Sequence, residues 1–476
     1  MNRFSIALRD GIHATLDATN SAVNVRTLRI AVTGLSRAGK TVFLVSMISN
    51  LMAMGREVAG TRRNTLPELA KLLKGENGEG SRLIDVEIEN SGTQDFPLFD
   101  YEGLRDRLAK GANGVWPPVT DRPAMITLRL TLRRPSKLGQ ISGNKILRIE
   151  LLDYPGEWLL DLPLLEQSYE AWSAETLAGL RGEIRSKFAA EFLAFLQTLQ
   201  PSAPASDKTA EHGFELYKDA LLRSRQEAGL RWLQPGRFLM PGPEGEIPLM
   251  KFFPWTGAPS PVRGSLGAVL RDRFDAYKNL VRTSFFEKHF SRFTRQIVLV
   301  DTLGALFAGQ TAFEDTTRAL RSIGESYAQQ LERGWIAGRK IDSVAFAATK
   351  SDHVDDLQRE NLKGLLKCYV EADKVPTRGR ATYHAIAAVR CTTDVDIVDT
   401  EGRSHRAVMG LPLGQTRLRP FRAGTVPADK VPKSYWSNSY FVMPQLAPPE
   451  FPAGDAHPIE HLNLDGLLAD LLKDEL

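Results

Sequence analysis

The chain has 476 residues, length enough for two or three domains. Hydrophobic residues make up 42% and charged residues 25%, and a formal charge of +4 leaves basic and acidic groups nearly balanced, so bulk charge implies no nucleic-acid partner and leaves only local basic patches open. The two cysteines, Cys368 and Cys391, fall in no metal-ligand spacing and fit a reducing, cytoplasmic setting.

Residues 3–20 carry apolar positions at helical spacing and predict a short amphipathic helix. Arg9, Asp10 and His13 interrupt any hydrophobic signal core there. No apolar run approaches the roughly 20 residues that cross a bilayer, and nothing else supports peripheral membrane contact. Lys473-Asp474-Glu475-Leu476 spells an ER-retention signal, but without a leader it reads as the polar end of a C-terminal helix.

The β-branched run Ile30–Thr33 predicts a first strand. It ends in Gly34-Leu35-Ser36-Arg37-Ala38-Gly39-Lys40-Thr41, followed by an apolar helix over Val42–Met54. This is the strand, Gly-x-x-x-x-Gly-Lys-Thr loop and helix of a phosphate cradle. Backbone N–H groups from Gly34 to Val42 can turn inward on an anion, and the helix N-terminus adds its dipole. Lys40 is placed to reach the β and γ phosphates, and the Thr41 hydroxyl to hold Mg²⁺. Arg37, inside the loop, either is solvated or supplies charge to the phosphates.

Further on, helices are predicted near Thr65–Leu73 and Phe99–Lys110, a strand over Ile84–Ile88, and a polar, mobile break over Gly75–Gly80. Thr120, closing Trp116-Pro117-Pro118-Val119-Thr120, stands where a first switch segment should end, and is a second candidate for Mg²⁺. Met125–Leu132 alternates and predicts an exposed antiparallel edge strand. A polar turn over Pro135–Asn144 leads into the next strand, which runs from Ile146 into Asp153-Tyr154-Pro155-Gly156-Glu157. In this position Asp153 orders the water shell of a metal, and Gly156 senses a γ-phosphate.

Residues 164–294 read as an inserted, mostly helical domain between a first core part, 1–163, and a second, 295–476. Ile184, Phe188, Phe192, Phe195 and Leu199 share one helix face, a linker-like break covers 201–208, and further helices are predicted near 211–232 and 266–291. The aromatic Phe252-Phe253-Pro254-Trp255 lies in a proline-rich stretch and reads as core. Buried strands resume at Arg295–Asp301, Ile341–Ala348 and Ala385–Cys391, with helices near 313–333 and 356–372 between them. Residues 394–456 read as loop-rich, and Ile459–Leu472 as a closing helix. The alternation predicts a doubly wound, mostly parallel α/β sheet with one antiparallel strand and the nucleotide at its carboxyl ends.

Thr349-Lys350-Ser351-Asp352 after a buried strand selects the base. The Asp352 carboxylate can accept from N1–H and N2–H₂ of guanine, donors that adenine lacks, while the Lys350 stem covers the ring. A backbone N–H at Ala388 or Val389 is placed for the guanine O6.

With these motifs the chain resembles the Ras-like P-loop GTPases, and more narrowly the YcjX family of bacterial stress-associated proteins. The carrying stretches are Gly34–Thr41, Trp116–Thr120, Asp153-Tyr154-Pro155-Gly156-Glu157-Trp158 and Thr349–Asp352. The resemblance implies GTP and GDP binding, Mg²⁺ and a nucleotide-controlled switch, with Lys40, Arg37, Thr120, Gly156 and Glu157 as the catalytic set. Two positions depart from the Ras-like pattern. Glu157 stands where Gln is usual, which predicts slow hydrolysis because a carboxylate repels the γ-phosphate. Ala387-Ala388-Val389 stands in place of Ser-Ala-Lys. A P-loop ATPase or small-molecule kinase with a helical lid, drawing on Arg181, Arg185 and Arg223, is the alternative, and a nucleotide-binding scaffold without turnover is another. The helical residues 164–294, with Trp158 at their root, are expected to report nucleotide state and to dock a protein partner.

Overall fold

The computed structural model describes residues 25–35, 37–56, 65–74, 82–89, 96–111, 116–118, 122–134, 143–242, 245–257, 262–289, 292–333, 341–371, 381–438, 441–452, 454 and 457–476. The expected N-terminal helix, the Gly75–Gly80 break, most of the Pro135–Asn144 turn, Ser36, Val119 and Thr120 lie outside the described residues.

Strand β1 (Val25–Gly34) leads into α1 (Lys40–Gly55), α2 (Pro67–Leu72), β2 (Leu83–Glu89), α3 (Tyr101–Ala109), β3 (Ala124–Leu132) and β4 (Lys145–Asp153). Two 3₁₀ turns, Gly156–Asp161 and Pro163–Glu166, open a long helical segment containing α4 (Tyr169–Leu180), α5 (Arg185–Thr198), α6 (Asp207–Glu227), α7 (Gly236–Leu239) and α8 (Leu266–Val281). The chain returns through β5 (Arg295–Val300), α9 (Thr302–Phe307), α10 (Gln310–Arg333), β6 (Ser343–Ala348), α11 (Asp356–Val370) and β7 (Ala381–Ala385). It ends with β8 (Thr392–Val398), β9 (Ser404–Gly410), β10 (Arg419–Phe421), α12 (Lys433–Asn438) and α13 (Leu464–Leu472).

The main sheet has the order β2-β3-β4-β1-β5-β6-β7. β1 pairs parallel with both β4 and β5, the line continues parallel through β6 and β7, and β3 is antiparallel to its neighbours β2 and β4. This is the doubly wound α/β sheet with a single reversed strand that the pattern predicted. Strands buried on both sides alternate between two cores. Ile30, Val32, Ile297 and Leu299 face α1 and α13, while Ala31, Val298, Val300 and Phe346 face the helical segment and α10. The second core runs without a break from the sheet through Trp158 and Leu159 to Trp172, Phe192, Phe252 and Phe274. Trp172 stacks on Phe274 with ring centroids 5.0 Å apart, so the aromatic stretches of this segment are packing.

Four expectations need correction. Met125–Leu132 is antiparallel but not an edge, because β2 pairs along it from Leu83 to Glu89 and takes the outer position. Ala385–Cys391 is not a strand. The strand is Ala381–Ala385, and the apolar run after it is buried as a loop pinned by Ala387 and Leu462, which exchange backbone hydrogen bonds of 3.1 and 2.8 Å. Residues 394–456 are not only loops, since β8, β9 and β10 form a second, antiparallel sheet. Its strands are short and interleave Asp394 and Asp396 with apolar residues, and β10 carries Pro420 at an edge where the missing N–H costs nothing. Finally, several helix ends shift. α6 stops at Glu227, α8 gives way to a wider π-helical turn at Arg282–Glu287, and the last helix starts at Leu464.

Candidate nucleotide site

β1 lies where the strand connections diverge, one set running through β4 and the other through β5, and the loop after it opens at the carboxyl edge of the sheet. Gly39 has φ 80° and Arg37 φ 67°, left-handed conformations that turn the chain tightly into α1. The Ala38 N–H donates to the Leu35 carbonyl at 3.1 Å. Six other helices are capped by a side chain: Asp100, Ser168, Ser206, Ser265, Asp301 and Asp355. Among the described residues α1 has no side-chain cap and no acid in its first turn, so its positive end faces the loop. Lys40 is buried, and its Nζ curls back to donate to the Gly34 carbonyl at 3.3 Å. Thr41 is buried in the same first turn, and Val42 half-buried behind it.

The β1–β4 register sets Asp153 beside Val32, two residues before Gly34. Gly156 follows, so close to β1 that a Cβ on it would lie 1.7 Å from the Gly34 carbonyl oxygen. Only glycine fits there. Glu157 is 4% exposed, with Oε1 3.5 Å from Arg225 Nη1 and Oε2 without a hydrogen-bond partner among the described residues. Thr120 lies outside the described residues. Its neighbour Trp116 donates Nε1–H to the Leu446 carbonyl at 2.9 Å.

At the other end, Lys350 has φ 60°, and its Nζ donates to Asp301 Oδ2 at 2.5 Å. Asp352 is 2% exposed, and its Oδ2 accepts from the Cys391 N–H at 2.8 Å. Its Oδ1 carries no hydrogen bond among the described residues, so the carboxylate is oriented but keeps acceptor capacity. The Ala388 carbonyl accepts from Ser46 Oγ, tying this loop to α1. The N–H groups of Ala388 and Val389 donate to nothing among the described residues. The loop, Asp153, Gly156, Lys350, Asp352 and Ala388 thus gather along one edge of the sheet.

Two of the three arginines named for a kinase-like lid are otherwise engaged. Arg185 pairs with Asp315 at 2.5 Å, and Arg223 pairs with Glu227 at 3.0 Å on an exposed helix face. Sequence reasoning missed Asp301, which ends the apolar β5 run, caps α9 through the Gly304 N–H at 2.9 Å and holds Lys350. It also missed Arg225 and Arg231 in the helical segment, and Asp161. Buried Asp161 accepts from the Gly236 N–H at 2.7 Å and from the Tyr277 hydroxyl at 2.8 Å. No pattern in sequence announces such partners, because they meet only through tertiary packing.

Comparison with known proteins fits this geometry. A model of the YcjX-like family, DUF463, matches residues 28–476. The chain belongs to that family. It is 33% identical over 470 residues to the Ras-like GTPase YcjX of Escherichia coli K12, covering 95% of this chain and 96% of that protein. It is 32% identical over 477 residues to the Ras-like GTPase YcjX of Shewanella oneidensis, with 95% of each chain covered. Among the described residues no helix is long and apolar enough to cross a membrane.

Proposed function

We propose that this protein binds GTP and GDP and hydrolyses GTP slowly, as a nucleotide-controlled switch in a bacterial stress response. The observation that carries the reading is the alignment of Lys40, Asp153, Gly156 and Asp352 along one sheet edge, with the Cys391 N–H fixing the Asp352 carboxylate. The names of the relatives support the GTPase reading, while the stress role rests on the family resemblance alone.

Lys40 and the open N-terminus of α1 bind the phosphates, Asp352 and the Ala388 N–H read guanine, and Lys350 covers the ring. Thr41 and Asp153 offer the hard oxygen donors suited to Mg²⁺, with Thr120 as the third candidate. That ion, when bound, neutralises charge on the β and γ phosphates. In hydrolysis the water oxygen bonds to the γ-phosphorus while the bond from that phosphorus to the β–γ bridging oxygen breaks. The electron pair stays on GDP, and the water protons pass to phosphate oxygens or solvent. Glu157 cannot donate to the attacking water as an amide would, which supports slow turnover. Residues 164–294 act as an inserted domain and dock a protein partner, in a cytoplasmic setting.

The test measures phosphate release from GTP and ATP by the full chain, with Mg²⁺ and with EDTA. Mg²⁺-dependent release from GTP well above ATP supports the reading. Preference for ATP overturns it, and tight GDP binding with no release in a single turnover reduces the protein to a scaffold.

A further inference from the structure

The stretch that follows α6 runs against the segment that carries Glu157. Its start is tied down by Arg225, whose Nη1 stands 3.5 Å from Glu157 Oε1. Its middle is held by Asp315 of α10. Asp315 Oδ2 accepts from the N–H groups of Arg231 and Trp232 at 2.5 and 2.7 Å, and Oδ1 accepts from Arg185 at 2.5 Å. Its end is Gly236, pressed against the Glu157 carbonyl. The backbone of Arg231 is therefore fixed on both sides of the residue after the Asp-x-x-Gly motif.

The side chain of Arg231 is not comparably satisfied. It is half-buried, yet among the described residues no carboxylate lies within ion-pair distance, and its one hydrogen bond goes to the Leu230 carbonyl at 3.2 Å. The charges around it come from separate elements: Asp301 after β5, Arg37 in the phosphate loop, Glu157 and Asp315. Asp301 is already engaged by Lys350 and the Gly304 N–H, and Asp315 by three donors. Burial and the like charge of Arg37 lower the guanidinium's pKa, with Asp301, Glu157 and Asp315 opposing. A guanidinium does not lose its proton in proteins, so what remains is a half-buried cation without an ion-pair partner among the described residues, in the neighbourhood of the exposed Arg37. An anion placed against it supplies the missing counter-charge.

We infer that Arg231 is a catalytic residue supplied in cis by the helical segment, its guanidinium contacting the terminal phosphoryl group. Arg225 is a positioning residue that holds the Glu157 carboxylate away from that group. The inference rests on the guanine-nucleotide reading. As the bond between the γ-phosphorus and the bridging oxygen breaks, charge builds on that oxygen and on the equatorial oxygens of the γ-phosphate. Arg231 counters this charge. Binding and chemistry then separate, because GDP lacks the group that Arg231 touches.

The experiment uses the full chain and the variants R231A, R231K and R225A. It measures single-turnover GTP hydrolysis, GDP and ADP affinity, and formation of a stable GDP–aluminium fluoride complex. Arg231→Ala is expected to slow hydrolysis about 10³-fold and to abolish the aluminium fluoride complex, with GDP affinity within about threefold of wild type. Arg231→Lys keeps the charge but not the fork, and should stay at least about tenfold slow. It also carries the test if the alanine variant does not fold. Arg225→Ala should slow hydrolysis less than Arg231→Ala and leave the aluminium fluoride complex detectable. Hydrolysis by Arg231→Ala within threefold of wild type, or equal loss of GDP affinity and rate, overturns the role of Arg231. Wild-type protein that binds GDP no better than ADP overturns the guanine-nucleotide reading, and this inference with it.

Discussion

Gly236 packs so tightly on Glu157 that a Cβ at position 236 would stand 1.8 Å from the Glu157 carbonyl oxygen. One residue earlier, Gly156 stands in the same relation to the Gly34 carbonyl, at 1.7 Å. The phosphate loop, the Asp-x-x-Gly segment and the helical residues are thus joined by main-chain contacts that leave no room for slack. Interfaces packed this closely move as units or not at all.

The first prediction follows from that contact. Gly236→Ala forces Glu157 away, and should cost at least about 2 kcal/mol in denaturant unfolding. It should also raise hydrogen exchange across 154–161. A variant with wild-type stability and exchange would show that the contact yields easily and transmits nothing.

If the contact transmits nucleotide state, residues 154–175 and 285–295 should exchange differently in GDP and in a non-hydrolysable GTP analogue. Trp158 is a natural optical reporter, with Nε1–H donated to the Met240 carbonyl at 2.7 Å and the Arg237 guanidinium 4.2 Å from its ring centroid. Trp116→Phe should keep most of the nucleotide-dependent fluorescence change, and Trp158→Phe should lose it. Identical exchange in both states would leave the helical segment a passive platform.

Asp161 gives a pH-dependent readout of the same junction. Burial pushes its carboxyl up to about 6, against hydrogen bonds from Tyr277 and Gly236 and the charge of Arg237. The folded value lies above the unfolded one of 3.8, so the folded state holds this proton more firmly. Its stabilising effect is complete below about pH 4 and is lost as pH rises through about 6. Wild-type stability relative to Asp161→Asn should therefore fall by about 2 kcal/mol between pH 4.5 and 7. A difference that stays flat over this range would contradict the assignment.

How far the sequence reached depends on how local each determinant is. Strand β1, the glycine loop, α1 and the Thr-Lys-x-Asp turn are written in contiguous residues, and each falls where its pattern placed it. Ala388 and Val389 were placed on a strand and lie in a loop, because a buried apolar run looks the same whether it is paired or packed under Leu462. Asp301 was invisible as a site residue. Its role comes from lying at the end of β5 next to β6, a register that no local pattern encodes. Arg231 was equally hidden, some 190 residues from the loop it approaches.

Arg37 separates backbone from side-chain roles. Its φ of 67° is a conformation glycine adopts freely, so Arg37→Gly should hold the loop in shape while removing the charge. GDP affinity should stay within about threefold, and the hydrolysis rate should fall further than affinity does. Equal losses in both would mean that Arg37 only helps to bind.

The most direct test of the account concerns Asp352. An asparagine there can still accept from the Cys391 N–H, so the loop should hold, but it no longer presents two acceptors to guanine. Isothermal titration of Asp352→Asn with GDP and with xanthosine diphosphate, beside wild type with GDP and ADP, measures the base preference. The account predicts that wild type prefers GDP strongly over ADP. In the variant GDP should weaken by about 10–100-fold and xanthosine diphosphate should bind better than GDP. Unchanged GDP binding by Asp352→Asn, or equal affinity of wild type for ADP, would contradict guanine recognition at this site.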